Sequence, residues 1–247
     1  MTDPTAGAPE PAASRRVQAL VALRLLEVLR DMDLPGEILE DEDPSQTMPR
    51  RFGLSDVVDR QIRTYRDDAR RGARLTDEEV RGLFRFVIRR PDGSQVFHRV
   101  GRLLAEEDRP ARWVRMLPRA LQYRKARTRT RRSLKRLFGR QIGGFVRAPF
   151  AIEGRSLLFI ESDPGGDACH LLSGFCEEVL EQTLGGSAKV AHTLCQGRGD
   201  DQCRWEGALV EMPATVVVRQ RHTQDEPAEL DPDAPAAAAG VNQPLTT

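Results

Sequence analysis

The hydrophobic pattern of this chain changes character near residue 140. Before that point apolar residues recur at helical spacing; after it they gather in short strand-like runs around one further helix. Ser14 reads as the N-cap of an amphipathic helix to about Met32, with Val17, Leu20, Val21, Leu25, Val28 and Leu29 on one stripe. An acidic loop, LEDEDPSQ, follows. Residues 55–70 predict a second helix behind Ser55, its apolar face made by Val57, Val58, Ile62 and Tyr65. Thr76-Asp-Glu-Glu79 has the capping-box pattern and predicts a third helix through Ile88. Pro91-Asp92-Gly93 predicts a turn, Ser94 to Ala105 a fourth helix, and Arg112 to Phe138 a basic helix that Pro118 breaks or kinks.

Beyond residue 140, Gly143 to Phe150 and Arg155 to Glu161 read as strands joined by a turn at Glu153-Gly154. Ala168 to Leu184 reads as a helix with Leu171, Leu172, Phe175, Val179 and Leu180 inward, stopped by Gly185-Gly186. Ala188 to Leu194 and Gln202 to Glu206 read as strands, with Thr215 to Arg219 as one more. The fold class is therefore α+β: a helical N-terminal region over 15–110, then an antiparallel sheet packed with helices over 111–210. Residues 1–14 and 211–247 are Pro-, Ala- and acid-rich, and are expected to be disordered tails.

Composition narrows the function classes. The net charge of +1 provides no global field toward nucleic acid or membrane. The distribution is uneven, however: between Arg109 and Arg147 there are fourteen Arg or Lys and no acid. That segment can contact nucleic acid or an anionic membrane surface. It also fits a solvated helix paired with the acids of 40–43 or 225–233, and this reading is favoured because its arginines surround the helix instead of forming a stripe. The first fifteen residues have no secretory pattern, and the longest apolar run, Val17 to Leu29, is broken by Gln18, Arg24 and Glu27. A cytoplasmic location is expected. The Arg- and Ala-rich usage suggests a bacterial source.

All four cysteines lie within Cys169–Cys203. Three of them, with His192, make the series Cys169-x22-His192-x2-Cys195-x7-Cys203, a soft donor set suited to a tetrahedral metal ion. His192, Cys195 and Cys203 would flank the turn Gly197-Arg198-Gly199-Asp200, and Cys169 would join from the first turn of the helix. Four protein donors make the metal structural. The same residues also fit as buried free thiols of a reduced core. Cys176, seven residues after Cys169, is expected to pack as an apolar residue.

Two of these segments, Cys169-His170-x3-Gly174 and Cys195-Gln-Gly-x-Gly-Asp200-x2-Cys203-x-Trp205, resemble the 4-vinyl-reductase domain family over about residues 140–207. That family includes an accessory protein of bacteriochlorophyll synthesis and the sensory domains of aromatic-responsive transcription activators. It shares its fold with subunits of transport-protein-particle complexes. The resemblance implies a zinc site at Cys169, Cys195 and Cys203, with His192 standing where the sensors have a glutamate. It also implies small-molecule sensing without turnover, and a homodimer.

Phe145, Phe150, Phe159 and Phe175, with Trp113 and Phe138, are candidates to wall a pocket for a small hydrophobic molecule. His98 and His170 are possible bases, but neither has a nucleophile at a recognisable spacing. The alternatives are a dimeric interaction or scaffold protein of the same fold, and an accessory protein of tetrapyrrole biosynthesis.

Overall fold

The computed structural model describes residues 14–33, 56–146, 149–155, 158–163 and 165–210. In chain order these form β1 (Arg15–Gln18), α1 (Ala19–Asp33), α2 (Asp56–Arg70), β2 (Arg74–Thr76), α3 (Asp77–Ile88) and α4 (Gly93–Glu106). A 3-10 turn (Arg112–Met116) leads to α5 (Arg119–Phe138), β3 (Gly144–Phe145), β4 (Ala151–Gly154) and α6 (Leu158–Ser162). A second 3-10 turn (Asp167–Cys169) precedes α7 (His170–Leu184) and β5 (Ala188–Leu194), and a third (Gln196–Arg198) precedes β6 (Cys203–Leu209). The fold is α+β, with a helical N-terminal region followed by a sheet, as the pattern predicts. The strand expected at Thr215–Arg219, the acidic loop, Ser55 and the tails short of Ser14 and beyond Val210 lie outside the described residues. No helix among the described residues is long and apolar enough to cross a membrane.

Local signals place several boundaries. At α3, Thr76 Oγ1 accepts from the backbone N–H of Glu79 at 3.2 Å, and the Glu79 carboxylate accepts from the N–H of Thr76 at 2.6 Å, the reciprocal pair of a capping box. Pro118 does interrupt the basic segment, so the 3-10 turn and α5 are separate elements. Gly185 and Gly186 both take positive φ where α7 stops.

Three expectations are corrected. Residues 15–18 are not helical: β1 pairs antiparallel with β2, Val17 opposite Leu75, and the first helical N–H, at Ala19, donates to Ala73 O at 3.0 Å. The hairpin before α7 is displaced, with Gly144 opposite Glu153 and Phe145 opposite Ile152; Glu153 and Gly154 therefore belong to a strand and not to a turn. Residues 158–161 of the expected strand Arg155–Glu161 belong instead to the short helix α6, which buries Leu158 and Phe159 completely. A four-residue apolar run carries no period that separates helix from strand, and packing decides.

The four-stranded sheet has the order β3-β4-β6-β5, antiparallel throughout. Alternation along β6 turns Cys203 and Trp205 inward, and α7 covers that face. On its other side α7 meets α4 at very close range. A Cβ on Gly101 would fall 2.0 Å from Leu171 O, and one on Gly174 would fall 2.0 Å from His98 O. Arg102 clamps the same crossing, with Glu178 and Glu181 each at 2.6 Å. One apolar core thus runs from Val17 in β1 to Trp205 in β6.

Candidate metal centre

Cys169, His192, Cys195 and Cys203 converge at the end of α7 nearest the β5–β6 hairpin. One ligand atom from each lies within 4.8 Å of all the others. The three sulfurs are buried, at 1%, 0% and 0% exposure, while the imidazole is half-buried. Cys176 is not in the cluster. It is fully buried in the core, where desolvation pushes its thiol up and keeps it protonated.

Cys169 is delivered by a loop organised around a buried carboxylate. Asp163, 1% exposed, accepts from the N–H of Gly165 at 2.9 Å and of Ala168 at 2.6 Å. The loop then passes through Gly166 at φ 86°, and the N–H of Cys169 donates to Gly166 O at 3.2 Å. Gly166 lies directly against the cluster: a Cβ there would stand 2.6 Å from Cys195 Sγ. Glycine is needed here for its backbone angle and for its missing side chain alike.

The other three donors come from the hairpin. His192 pairs with Trp205 across β5 and β6, and the register slips between His192 and Leu194. Such an irregularity re-aims the residues after it. Cys195 follows and begins a tight turn: its carbonyl accepts from Arg198 N at 2.9 Å and Asp200 N at 3.2 Å, while its N–H donates to Asp200 Oδ2 at 2.6 Å. Asp200 is therefore a turn former, and Gly199 supplies the left-handed residue at φ 100°. Gly197 sits inside the 3-10 turn. Cys203 Sγ accepts from the N–H of Gln196 at 3.3 Å.

Trp205 joins the two halves. Its indole N–H donates to Cys169 O at 3.2 Å, and its ring stacks on His192 with centroids 4.7 Å apart and planes 9° from parallel. The sulfurs differ in charge preference. The Cys203 thiol is pulled down, first by the S–H it accepts from Cys169 and further by the nearby His192 ring and the N–H of Gln196, against the opposing effect of burial. Cys169 is pushed up for the converse reason, with burial adding to the effect.

This set can hold a metal ion. Two observations fit an ion at its centre. His192 Nε2 is buried with no hydrogen-bond partner among the described residues, so the ring is not fully engaged by the protein. Among the described glycines, Gly166 is the one at which a Cβ would intrude on Cys195 Sγ.

The other candidates are scattered. Phe138, Phe150, Phe159 and Phe175 are buried in the common core, with Phe138 edge-on to Phe159 and Phe150 edge-on to Phe145. Trp113 and Phe145 line two different surface depressions. His98 is bound to Glu177 at 2.7 Å. Part of the basic segment's charge serves the fold itself: Arg119 reaches Leu184 O, Arg127 reaches Pro149 O, and Arg140 lies 3.3 Å from Asp77. Sequence reasoning passed over Asp163, although Asp-Pro-Gly-Gly is a readable turn signal.

An α+β fold carrying a Cys3His cluster able to hold a metal ion is thus the class that fold and site define. Comparison with protein-family models, curated proteins and solved structures found no match.

Proposed function

We propose that this chain is a non-catalytic small-molecule-binding or sensory protein, whose 4-vinyl-reductase-like module is stapled by one structural zinc ion. The observation that carries the reading is the convergence of Cys169, His192, Cys195 and Cys203 from two separate elements. Three thiolates with an imidazole suit zinc, and their softness disfavours magnesium or calcium. With four protein donors no coordination position is left for water or substrate, so the ion would supply structure, tying the start of α7 to the β5–β6 hairpin. The reading places the chain in a reducing compartment such as a bacterial cytoplasm, where thiols stay free for metal.

Metal analysis of the native protein, joined to native mass spectrometry, tests this. One zinc per chain is expected, retained in Cys176→Ala and lost in Cys195→Ser, with the melting temperature of Cys195→Ser markedly lowered. A metal-free native protein, or a Cys195→Ser variant as stable as the parent, overturns the reading.

A further inference from the structure

A cavity of about 630 Å³ opens beside the first 3-10 turn and α5, away from the metal cluster and from the buried phenylalanines. Its size falls in the range of small-molecule sites. We propose that it binds a small organic anion with an apolar body, a carboxylate of the acyl or aryl kind, whose charged end meets Arg129 and Thr183 and whose body lies against Trp113 and Leu121. This deepens the binding role proposed above and rests on it, but not on the metal.

Two residues from different helices, Arg129 and Thr183, line the cavity, and each holds buried polar atoms without partners. Arg129 donates through Nη2 to Ala105 O at 2.8 Å and to Gln182 Oε1 at 2.6 Å. Its Nε and Nη1 are buried and have no partner among the described residues. A guanidinium has five N–H donors, so three of Arg129's remain unmade. Thr183 of α7 is 1% exposed, and its hydroxyl is likewise unpartnered. Buried donors left this way are costly, and an anion entering the cavity would offset that cost once a turn of the Arg129 and Thr183 side chains brings them to it.

The charge around the cavity has one sign in excess. Arg124, Lys125, Arg129 and Arg132 line it against a single acid, Asp108. Asp108 is itself engaged, accepting from Ser133 Oγ at 2.9 Å and lying 3.8 Å from Arg136. The remaining field favours a negative ligand.

The opposite wall is apolar and open. Trp113 and Leu121 line the cavity while remaining 55% and 43% exposed, and Lys125 Nζ lies 5.8 Å from the Trp113 ring centroid. An inorganic anion would leave this wall wet, and a neutral apolar molecule would leave Nε and Nη1 of Arg129 without acceptors. A carboxylate with an apolar tail satisfies both.

Isothermal titration of the full chain with octanoate and with 2-naphthoate, against octanol and 2-naphthamide, tests the assignment, with zinc content measured on the same samples. Saturable one-to-one binding of at least one carboxylate is expected, with its neutral counterpart about tenfold weaker or worse. Arg129→Gln should weaken the carboxylate about tenfold. Leu121→Glu changes only the exposed wall, so its fold should survive, and the added carboxylate should abolish binding. Absence of saturable carboxylate binding, equal binding of charged and neutral probes, or a folded Leu121→Glu protein that binds like the parent overturns the proposal. A zinc-free protein that still binds the carboxylate overturns the zinc reading alone.

Discussion

The indole N–H of Trp205 donates to the carbonyl of Cys169, so the residue that stacks on His192 also holds the loop carrying the most distant donor. Trp205 is 1% exposed, and it couples the α7 side of the cluster to the hairpin side independently of any ion. Trp205→Phe keeps an aromatic ring over His192 but removes the donor and part of the buried ring volume. The variant should lose about 2–3 kcal/mol of stability, from one buried hydrogen bond and the lost ring volume, while Cys169 O keeps its partner in the first turn of α7. It should also release metal to a chelator faster than the parent. Thermal melts and chelator-competition kinetics check both; parental release kinetics would mean that this hydrogen bond does not hold the site.

Gly166 supports the same loop in a different way. Gly166→Ala would press a methyl group against Cys195 Sγ and force alanine to adopt φ near 86°. Metal affinity should fall at least tenfold, while Gly185→Ala, which also has positive φ but open space around it, should leave metal content unchanged. Equal metal retention by both variants would contradict the close approach.

Gly101 and Gly174 should behave as a pair of backbone contacts. Gly101→Ala or Gly174→Ala must separate α4 from α7, because the obstructing atoms are carbonyl oxygens and not flexible side-chain ends. Each should lose about 3 kcal/mol or more, against a helix-propensity gain of about 1. Gly82 in α3 has nothing within 4 Å of its would-be Cβ, and Gly82→Ala should be stabilising by about 0.5–1 kcal/mol. Denaturant unfolding of the three variants decides the matter, and similar midpoints for all three would refute the close crossing.

Glu177 carries a pH dependence. Burial alone would raise its carboxyl, but hydrogen bonds from His98 and from the N–H of Val190, with the charge of Arg102, outweigh burial and hold it below its ordinary value of 4.5. The stabilisation is fully present above 4.5 and is lost as pH falls through the lower folded value. Glu177→Gln should therefore cost about 1–3 kcal/mol at neutral pH. That deficit should shrink under acid conditions below 4.5, and urea melts at several pH values would show it. A deficit independent of pH would assign the loss to packing alone.

What was legible in the chain was what neighbouring residues settle among themselves. The Thr76–Glu79 capping box, the break at Pro118, the stop at Gly185-Gly186 and the Asp200 turn all close hydrogen bonds within a few residues. The donor set was legible too, because His192, Cys195 and Cys203 flank one turn and Cys169 opens the adjoining helix.

Tertiary structure decided the rest, wherever a distant partner outweighed local preference. Arg15–Gln18 leave the helix because Arg74–Thr76 offer a ladder from more than fifty residues away. Leu158 and Phe159 become helical because the core accepts them from that side. Phe138, Phe150, Phe159 and Phe175 fill space instead of lining a pocket, since burial depends on what the other elements bring against them. The unpartnered Nε and Nη1 of Arg129 arise only once other elements cover them, and spacing along a chain holds no record of that desolvation.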